Sequence, residues 1–191
     1  MTGIGLAGFG TVGSGVWKML QENGGLITSR TQGTVQLEIR KIAVRDLSKA
    51  RDGDAPAELF TTQLLDVVND PAVDVVVELI GGTDAAYDLV EAALKAGKPV
   101  VTGNKALLAE RGGPLFALSR EHNAPIHFEA AVAGGIPIIK ALSEGLAANE
   151  ITRVMGVMNG TCNYILTRME HSGLPYSAIF QEAADLGYLE A

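Results

Sequence analysis

Cysteine and concentrated positive charge are both scarce in this sequence. Cys162 is the only cysteine among 191 residues, so no internal disulfide can form, and we expect a cytoplasmic protein. The net charge is −7 at pH 7 and no run of basic residues occurs, which argues against a nucleic-acid or anionic-membrane partner. No apolar stretch reaches the roughly 18 residues that span a bilayer. The N-terminus also has no basic segment of the kind that begins a signal peptide.

Metal-ligand spacings are missing as well, whereas glycine is frequent. The histidines His122, His127 and His171 share no spacing typical of a metal site, and we expect structural or surface roles for them. The 23 glycines fall in pairs and short motifs, not in a low-complexity tract. Glycine placed in this way favours tight turns and close approach of the backbone to a ligand.

Apolar runs and breakers predict alternating strands and helices over the first two thirds of the chain. Residues 73–80 are almost continuously apolar, as in a strand of a parallel sheet that is buried on both faces. Further strands are predicted near residues 3–8, 35–44, 99–102 and 126–130, with helices between them. This β-α-β order predicts an α/β fold, namely a Rossmann-type, doubly wound parallel sheet.

Glycine and proline predict where the helices of this region end. The first helix is expected to end at Gly24 and Gly25. Separate helices are expected from Lys105 and from Pro114, because proline favours a helix start. Residues 45–57 are polar and are expected to form a loop.

A change of composition predicts a domain boundary near Glu129. Residues 131–137 are rich in glycine and alanine, and the pattern after them predicts a helix, a strand over 151–158 and two more helices. We therefore expect a nucleotide-binding domain over residues 1–128 and the start of an α+β domain over residues 129–191.

The segment GFGTVG at residues 8–13 fits the spacing G-x-G-x-x-G. It follows a predicted strand and opens a predicted helix, which is the setting that dinucleotide binding requires. Gly8 permits the tight turn, Gly10 lets the backbone approach a pyrophosphate, and Gly13 lets the helix pack close to the strand. The helix start, from Thr11 and Val12, then offers N–H groups and partial positive charge to the phosphates. Phe9 completes the predicted contact segment.

The choice between NADP and NAD depends on the residues that follow the second strand. Arg45 comes first after this strand, with Lys49 and Arg51 close behind. Because arginine can pair with a phosphate through two hydrogen bonds, we expect NADP. Asp46 keeps NAD as the alternative, since a carboxylate at this place binds the ribose hydroxyls of NAD. The alternative for Arg45 is a solvated loop charge.

Four later segments, together with the glycine turn, resemble homoserine dehydrogenases. They are GNKALLA at 103–109, EAAVAGGIP at 129–137, NGTCNYIL at 159–166 and DLGYLEA at 185–191. The resemblance extends over essentially the whole chain, and the motifs occur in one consistent order. It implies NAD(P)-dependent interconversion of L-homoserine and L-aspartate 4-semialdehyde, in the synthesis of threonine, methionine and isoleucine. It also implies a homodimer, with the second domain supplying substrate contacts and the subunit interface.

The resemblance assigns roles to residues at the active site. Lys105 follows a strand's carboxyl end, where a lysine can stabilise a developing alkoxide; the resemblance implies an active-site lysine between cofactor and substrate. The alternative is a surface lysine at a helix start. Thr83 and Gly187 are expected at the cofactor, and Glu190 at the amino group of homoserine. Without the resemblance, Gly187 would be a helix C-cap only.

A sodium site is also implied by the resemblance. The site would combine the Glu129 carboxylate with the carbonyls of Val132, Gly134 and Ile136, which are oxygen ligands suited to a hard cation. From the residues alone, a glutamate that pairs with nearby N–H groups is the better expectation.

The sequence departs from the family pattern at its end. The family continues with a substrate-binding aspartate and a proton-donating lysine, and neither occurs here, so we expect a fragment of a longer enzyme. One alternative is therefore a non-catalytic NADPH-binding module. Another is an acylating semialdehyde dehydrogenase with Cys162 as nucleophile, although a buried, structural cysteine is the stronger expectation.

Overall fold

Six parallel strands form one sheet in the computed structural model, which describes residues 1–49, 54–157 and 159–188. The order across the sheet is β3-β2-β1-β4-β5-β6. Successive strands are therefore added outward from β1 toward β3 on one side and from β4 toward β6 on the other side. The strand order switches direction between β1 and β4, and open α/β sheets bind ligands at such a point. The strands are β1 (Thr2–Ala7), β2 (Leu37–Ala43), β3 (Phe60–Thr61), β4 (Val75–Glu78), β5 (Val100–Thr102) and β6 (Ile126–His127).

Helices connect the strands and make up most of the rest of the described chain. They are α1 (Thr11–Arg30), α2 (Asp66–Asn69), α3 (Asp84–Lys95), α4 (Lys105–Glu121), α5 (Ile138–Lys140), α6 (Gly160–Ser172) and α7 (Tyr176–Asp185). Turns of 3₁₀ helix cover Ala57–Leu59 and Glu129–Ala131, and a turn of π-helix, Ala141–Gly145, continues α5. None of the described helices is both long and apolar enough to span a bilayer.

Successive side chains of a strand point to opposite faces of the sheet, so the apolar strands present apolar side chains on both faces. Helices cover both faces. On one face, Trp17 of α1 packs in a core that includes Val77 of β4. On the other face, Leu89 of α3 and Leu115 of α4 pack in a core that includes Val76. Each fully buried aliphatic side chain of this kind contributes about 1.5–3 kcal/mol. Two separate cores on one sheet confirm the predicted doubly wound fold.

Two local predictions in this region are wrong, and one short strand was not predicted. α1 does not end at Gly24 but continues to Arg30, because Ile27 packs against the core beyond the glycines. The helices expected from Lys105 and from Pro114 are one helix, since Leu107 and Leu115 are both fully buried on either side of its glycine pair. β3 was not expected, and it consists of two residues that pair with β2.

The chain divides into two compact units, Met1–Gly145 and Leu146–Ala191. In the second unit, α6 and α7 pack through Ile165, Ile179 and Ala183. The predicted strand over residues 151–158 is absent from the described part, 151–157. A strand needs a neighbour to satisfy its backbone groups, and the described part of this unit offers only two helices.

Candidate functional site

A cleft of about 710 Å³ opens at the carboxyl ends of β1, β2 and β4, within the first unit. This volume lies within the range of about 300–1,000 Å³ that is typical of ligand sites. The cleft therefore lies where the topology predicts a ligand. Its lining consists of Gly8, Phe9, Gly10, Thr11, Ser14, Ala43, Val44, Arg45, Asp46, Lys49, Thr62, Leu64, Leu79, Ile80, Gly81, Gly82 and Ala85.

Two glycines of the predicted turn are required by the fold itself. Gly8 has a φ of 99°, in a region that favours glycine, and its N–H donates to the Ala43 carbonyl at 2.9 Å. A Cβ at Gly13 would lie 2.2 Å from the carbonyl oxygen of Gly8. Gly13 therefore lets α1 pack directly on the end of β1, as expected.

Gly10 differs, because no atom beyond Gly10 and its two chain neighbours lies within 4 Å of the place that its Cβ would occupy. Gly10 lines the cleft and precedes the first residue of α1, and no acidic residue lies in the first turn of this helix. The first N–H groups of a helix lack partners within it, so this end of α1 suits an anion. Phe9 anchors the turn, since its ring packs edge-on against Phe60 with centroids 5.2 Å apart.

Of the remaining residues predicted in the turn, Thr11 lines the cleft and Val12 does not. The Val12 side chain is 61% exposed. The residues of the turn that line the cleft are therefore Gly8, Phe9, Gly10 and Thr11, whereas Gly13 supports the turn from behind.

The rim of the cleft beyond β2 carries two cationic side chains and one carboxylate, that of Asp46. Arg45 and Lys49 both line it, and Arg45 is exposed. The Asp46 carboxylate accepts two hydrogen bonds from Ser48, at 2.8 Å from its N–H and 2.7 Å from its hydroxyl. Asp46 thus stabilises its own turn. Arg51 lies outside the described residues.

Lys105 is the first residue of α4 and is exposed. A cation at a helix N-terminus opposes the helix dipole, so helix stability does not explain a lysine here. The residue before it, Asn104, caps α4 by accepting the Leu107 N–H at 3.0 Å and donates to the Gly82 carbonyl at 2.7 Å. Lys105 therefore adjoins a residue that is bonded to the cleft lining. Thr83, the N-cap of α3, directly follows Gly82 without lining the cleft itself.

A buried polar network next to the cleft was not predicted from the sequence. Glu78, at the end of β4, is fully buried. Its carboxylate accepts from the Thr102 hydroxyl at 2.5 Å and from the Ile80 N–H at 3.0 Å. The Asn104 amide nitrogen lies 3.5 Å from the same carboxylate. The available signal was an acidic residue inside the apolar run at residues 73–80, since buried acids need partners.

Glu129 begins the 3₁₀ turn after β6, and its two carboxylate oxygens accept the N–H groups of Ile139 and Lys140, both at 2.8 Å. Each carboxylate oxygen thus has a hydrogen-bond donor in α5. This agrees with the alternative expectation that Glu129 pairs with nearby N–H groups. The carboxylate keeps further lone pairs. The bend that carries Val132, Gly134 and Ile136 lies between these partners, with a φ of 60° at Gly134.

In the second unit, Gly187 ends α7 in a left-handed conformation, with a φ of 73°. The N–H groups of Gly187 and Tyr188 close the helix end on Ala184 and Ala183, which is a Schellman motif. The Thr161 hydroxyl donates to the Tyr188 carbonyl at 2.6 Å. Glu190 lies outside the described residues.

Cys162 is exposed, so the expected buried cysteine is wrong. It lies in the first turn of α6, before Ile165, the residue of this helix that enters the core. Its N–H donates to the Asn159 side chain at 2.8 Å, an N-cap bond.

An ionic cluster joins α6 to α7. Arg168 donates two hydrogen bonds to Glu182, both at 3.1 Å, and Tyr164 donates a third. Arg168 and then Tyr164 lower the pKa of Glu182, and the carboxylate in turn raises the pKa of the Tyr164 hydroxyl. The contribution of Glu182 is lost as pH falls through its lowered pKa, and that of Tyr164 as pH rises through its raised pKa. The cluster is therefore intact around neutral pH.

The two parts of the chain match two family models. The model for the NAD-binding domain of homoserine dehydrogenase matches residues 8–129, and the homoserine dehydrogenase model matches residues 137–191. The first match covers more than half of the chain. The chain belongs to the homoserine dehydrogenase family.

Individual members support this assignment. Homoserine dehydrogenase of Bacillus subtilis is 46% identical over 188 residues, which cover 98% of this chain and 43% of that protein. The crystal structure of a homoserine dehydrogenase from Thiobacillus denitrificans has a TM-score of 0.83 at 45% identity, covering 100% of this chain and 43% of the other. A hyperthermophilic archaeal homoserine dehydrogenase in complex with NADPH has a TM-score of 0.76 at 29% identity, covering 99% and 62%. The chain thus spans under half the length of the curated relatives that it matches.

The cleft lies in the part of the chain that matches the family model for the NAD-binding domain. A nicotinamide cofactor is thereby assigned to this domain. The family models change over between residues 129 and 137, whereas the compact units divide after Gly145. The boundary at Glu129 stays a prediction.

Proposed function

We propose that the protein to which these 191 residues belong interconverts L-homoserine and L-aspartate 4-semialdehyde with NADP(H). The observation that carries the proposal is the cleft at the end of β1, with its glycine turn, in a chain of this family. The cofactor supplies hydride transfer at its nicotinamide ring. In the oxidation, the carbon bearing the hydroxyl loses a hydride to NADP⁺ and the hydroxyl proton passes to a base.

The described residues divide the work between binding and charge stabilisation. The start of α1 holds the pyrophosphate through backbone N–H groups, with Gly10 allowing close approach. Arg45 holds the 2′-phosphate. Lys105 faces the reacting oxygen and stabilises the charge that develops there. Thr83 contacts the cofactor. The family resemblance further assigns Gly187 to the cofactor and Glu190, which lies outside the described residues, to the substrate's ammonium group.

An assay of the parent protein tests this function. Homoserine should reduce NADP⁺ at a rate that saturates with homoserine, and other primary alcohols should not replace it. The 191-residue chain alone should bind NADPH with little turnover, since the predicted proton-transfer residues lie elsewhere in the family pattern. The proposal would be refuted if the parent protein showed no homoserine-dependent reduction of NADP⁺.

Sedimentation of the same preparation tests the predicted homodimer, since a mass of one chain would contradict it.

An NADP preference is expected to depend on Arg45. Its exposed guanidinium lines the cleft rim, whereas the Asp46 carboxylate is bonded to Ser48. Arg45→Ala should weaken NADPH binding by about 1–3 kcal/mol, or about 5- to 150-fold, and leave NADH binding unchanged. Calorimetric titration of both cofactors measures this.

Arg30→Ala is a matched control, because Arg30 is the last residue of α1 and lies at the helix end remote from the glycine turn. It should change neither affinity. Equal losses for NADPH and NADH in Arg45→Ala, or no loss, would remove Arg45 from the phosphate site.

A sodium ion at Glu129 is a further proposal, supported by oxygen ligands in one bend. Ions that bind only the folded state raise the melting temperature. Sodium chloride should therefore raise it more than choline chloride at equal ionic strength. Glu129→Gln should abolish this difference, although the lost hydrogen bonds to α5 lower the melting temperature in both salts. Equal melting temperatures of the unsubstituted chain in both salts would argue against the ion.

A further inference from the structure

The end of β4 contains an acidic residue that packing alone does not explain. Glu78 is fully buried, and none of the ion pairs within the described residues involves it. An unpaired buried charge is unfavourable unless hydrogen bonds satisfy it. Here the donors are the Thr102 hydroxyl and the Ile80 N–H, with the Asn104 amide at the limit of contact.

These donors connect Glu78 with the start of α4 and with the turn at Gly81 and Gly82, which lines the cleft. Thr102 also accepts the Asn104 N–H at 3.0 Å, so its hydroxyl is held from both sides. Asn104 then uses each end of its amide: the oxygen caps α4, and the nitrogen holds the Gly82 carbonyl. Gly82 and its neighbour Gly81 have φ values of 72° and 70°, and neither has a neighbouring atom where a Cβ would be. The bond from Asn104 to the Gly82 carbonyl therefore ties this turn to the start of α4.

We propose that Glu78 is a positioning residue: through Thr102 and Asn104 it fixes the start of α4, and hence Lys105, relative to the Gly81–Gly82 edge of the cofactor cleft. The inference rests on the proposed function, in which Lys105 acts on the reacting oxygen. A buried network in which every member is satisfied specifies one arrangement. Small displacements of a catalytic group lower the rate steeply, so this arrangement should matter for turnover more than for cofactor binding.

Glu78→Gln in the parent protein tests the inference with little change of shape. The Ile80 N–H and the Thr102 hydroxyl donate to different oxygens of the carboxylate, and the amide replaces one of these oxygens with an NH2 group that cannot accept, so one of the two bonds is lost in the same geometry. We expect kcat for homoserine oxidation to fall by about 10- to 100-fold, with little change in the Kd for NADPH. Amide hydrogen exchange should become faster at Leu107 and Ile80, which reports the loosened network independently of activity.

Substitutions at two further positions keep the test valid if Glu78→Gln does not fold. Asn104→Ser retains a capping oxygen for α4 but cannot also hold Gly82, so kcat should fall in the same way. Thr102→Val removes the hydroxyl at nearly constant shape and should lower kcat, whereas Thr102→Ser keeps the hydroxyl and should retain most of it.

A double-mutant cycle separates positioning from general destabilisation. If Glu78 acts through Lys105, Glu78→Gln should have little further effect on kcat once Lys105 is alanine. Equal losses in both backgrounds would overturn the inference, as would kcat values near the wild type in both Glu78→Gln and Asn104→Ser. These results differ from failure of the proposed function, in which the unsubstituted parent protein would not oxidise homoserine.

Discussion

Lys105→Ala in the parent protein is expected to lower kcat by about 10²-fold or more, the loss typical of removing one group that stabilises a developing oxyanion. The ammonium contributes most when negative charge gathers on the substrate oxygen. The loss should therefore appear mainly in kcat and less in substrate affinity. Steady-state kinetics with homoserine and NADP⁺ measures both quantities.

The fold should tolerate this change. Alanine has the best helix propensity, and Asn104 still caps α4 through the Leu107 N–H. Lys95→Ala is a matched control, since Lys95 is also an exposed helix lysine but ends α3 and pairs with Glu91 at 3.0 Å. It should leave kcat unchanged. A Lys105→Ala enzyme with near-normal kcat would remove Lys105 from the active site.

The nucleotide-binding fold was predictable because its local patterns agree with one another. Val75, Val76 and Val77 are consecutive apolar residues that supply both faces of the sheet, and the structure places Val76 and Val77 in different cores. β3 was missed because a strand of two residues, Phe60 and Thr61, is too short to show alternation. The strand predicted over residues 151–158 shows the opposite error, since its described part, 151–157, forms no strand and has no neighbouring strand among the described residues.

The candidate site was predictable where function depends on one short segment. Gly8 and Gly13 have the conformation and the close contact that their spacing predicts. The network around Glu78 was not predictable in this way, because its side-chain partners lie 24 and 26 residues away in sequence. Only the pairing of β4 with β5 brings Glu78 opposite Thr102. Glycine spacing is local information, whereas this network is a consequence of sheet register.

Gly10→Val is expected to weaken NADPH binding by about 10- to 100-fold, since hydrogen bonds to charged groups are worth about 1.5–3 kcal/mol. The added side chain would project from the cleft lining into the space that the pyrophosphate needs. No atom beyond Gly10 and its two chain neighbours lies within 4 Å of the new Cβ, and the backbone at Gly10 is extended, with φ −87° and ψ −157°, so the position does not require glycine's left-handed conformations. The melting temperature should therefore stay close to that of the unsubstituted chain.

Gly15→Val separates loss of the phosphate site from a general effect on α1. At Gly15, too, a Cβ would have no atom within 4 Å beyond its chain neighbours and the adjacent backbone of its own helix, but Gly15 lies within α1 and does not line the cleft. Calorimetric titration of the 191-residue chain should give weakened NADPH binding for Gly10→Val and unchanged binding for Gly15→Val. If Gly10→Val instead binds NADPH as tightly as the unsubstituted chain, the pyrophosphate does not approach this turn. The cofactor would then have to bind elsewhere along the carboxyl edge of the sheet.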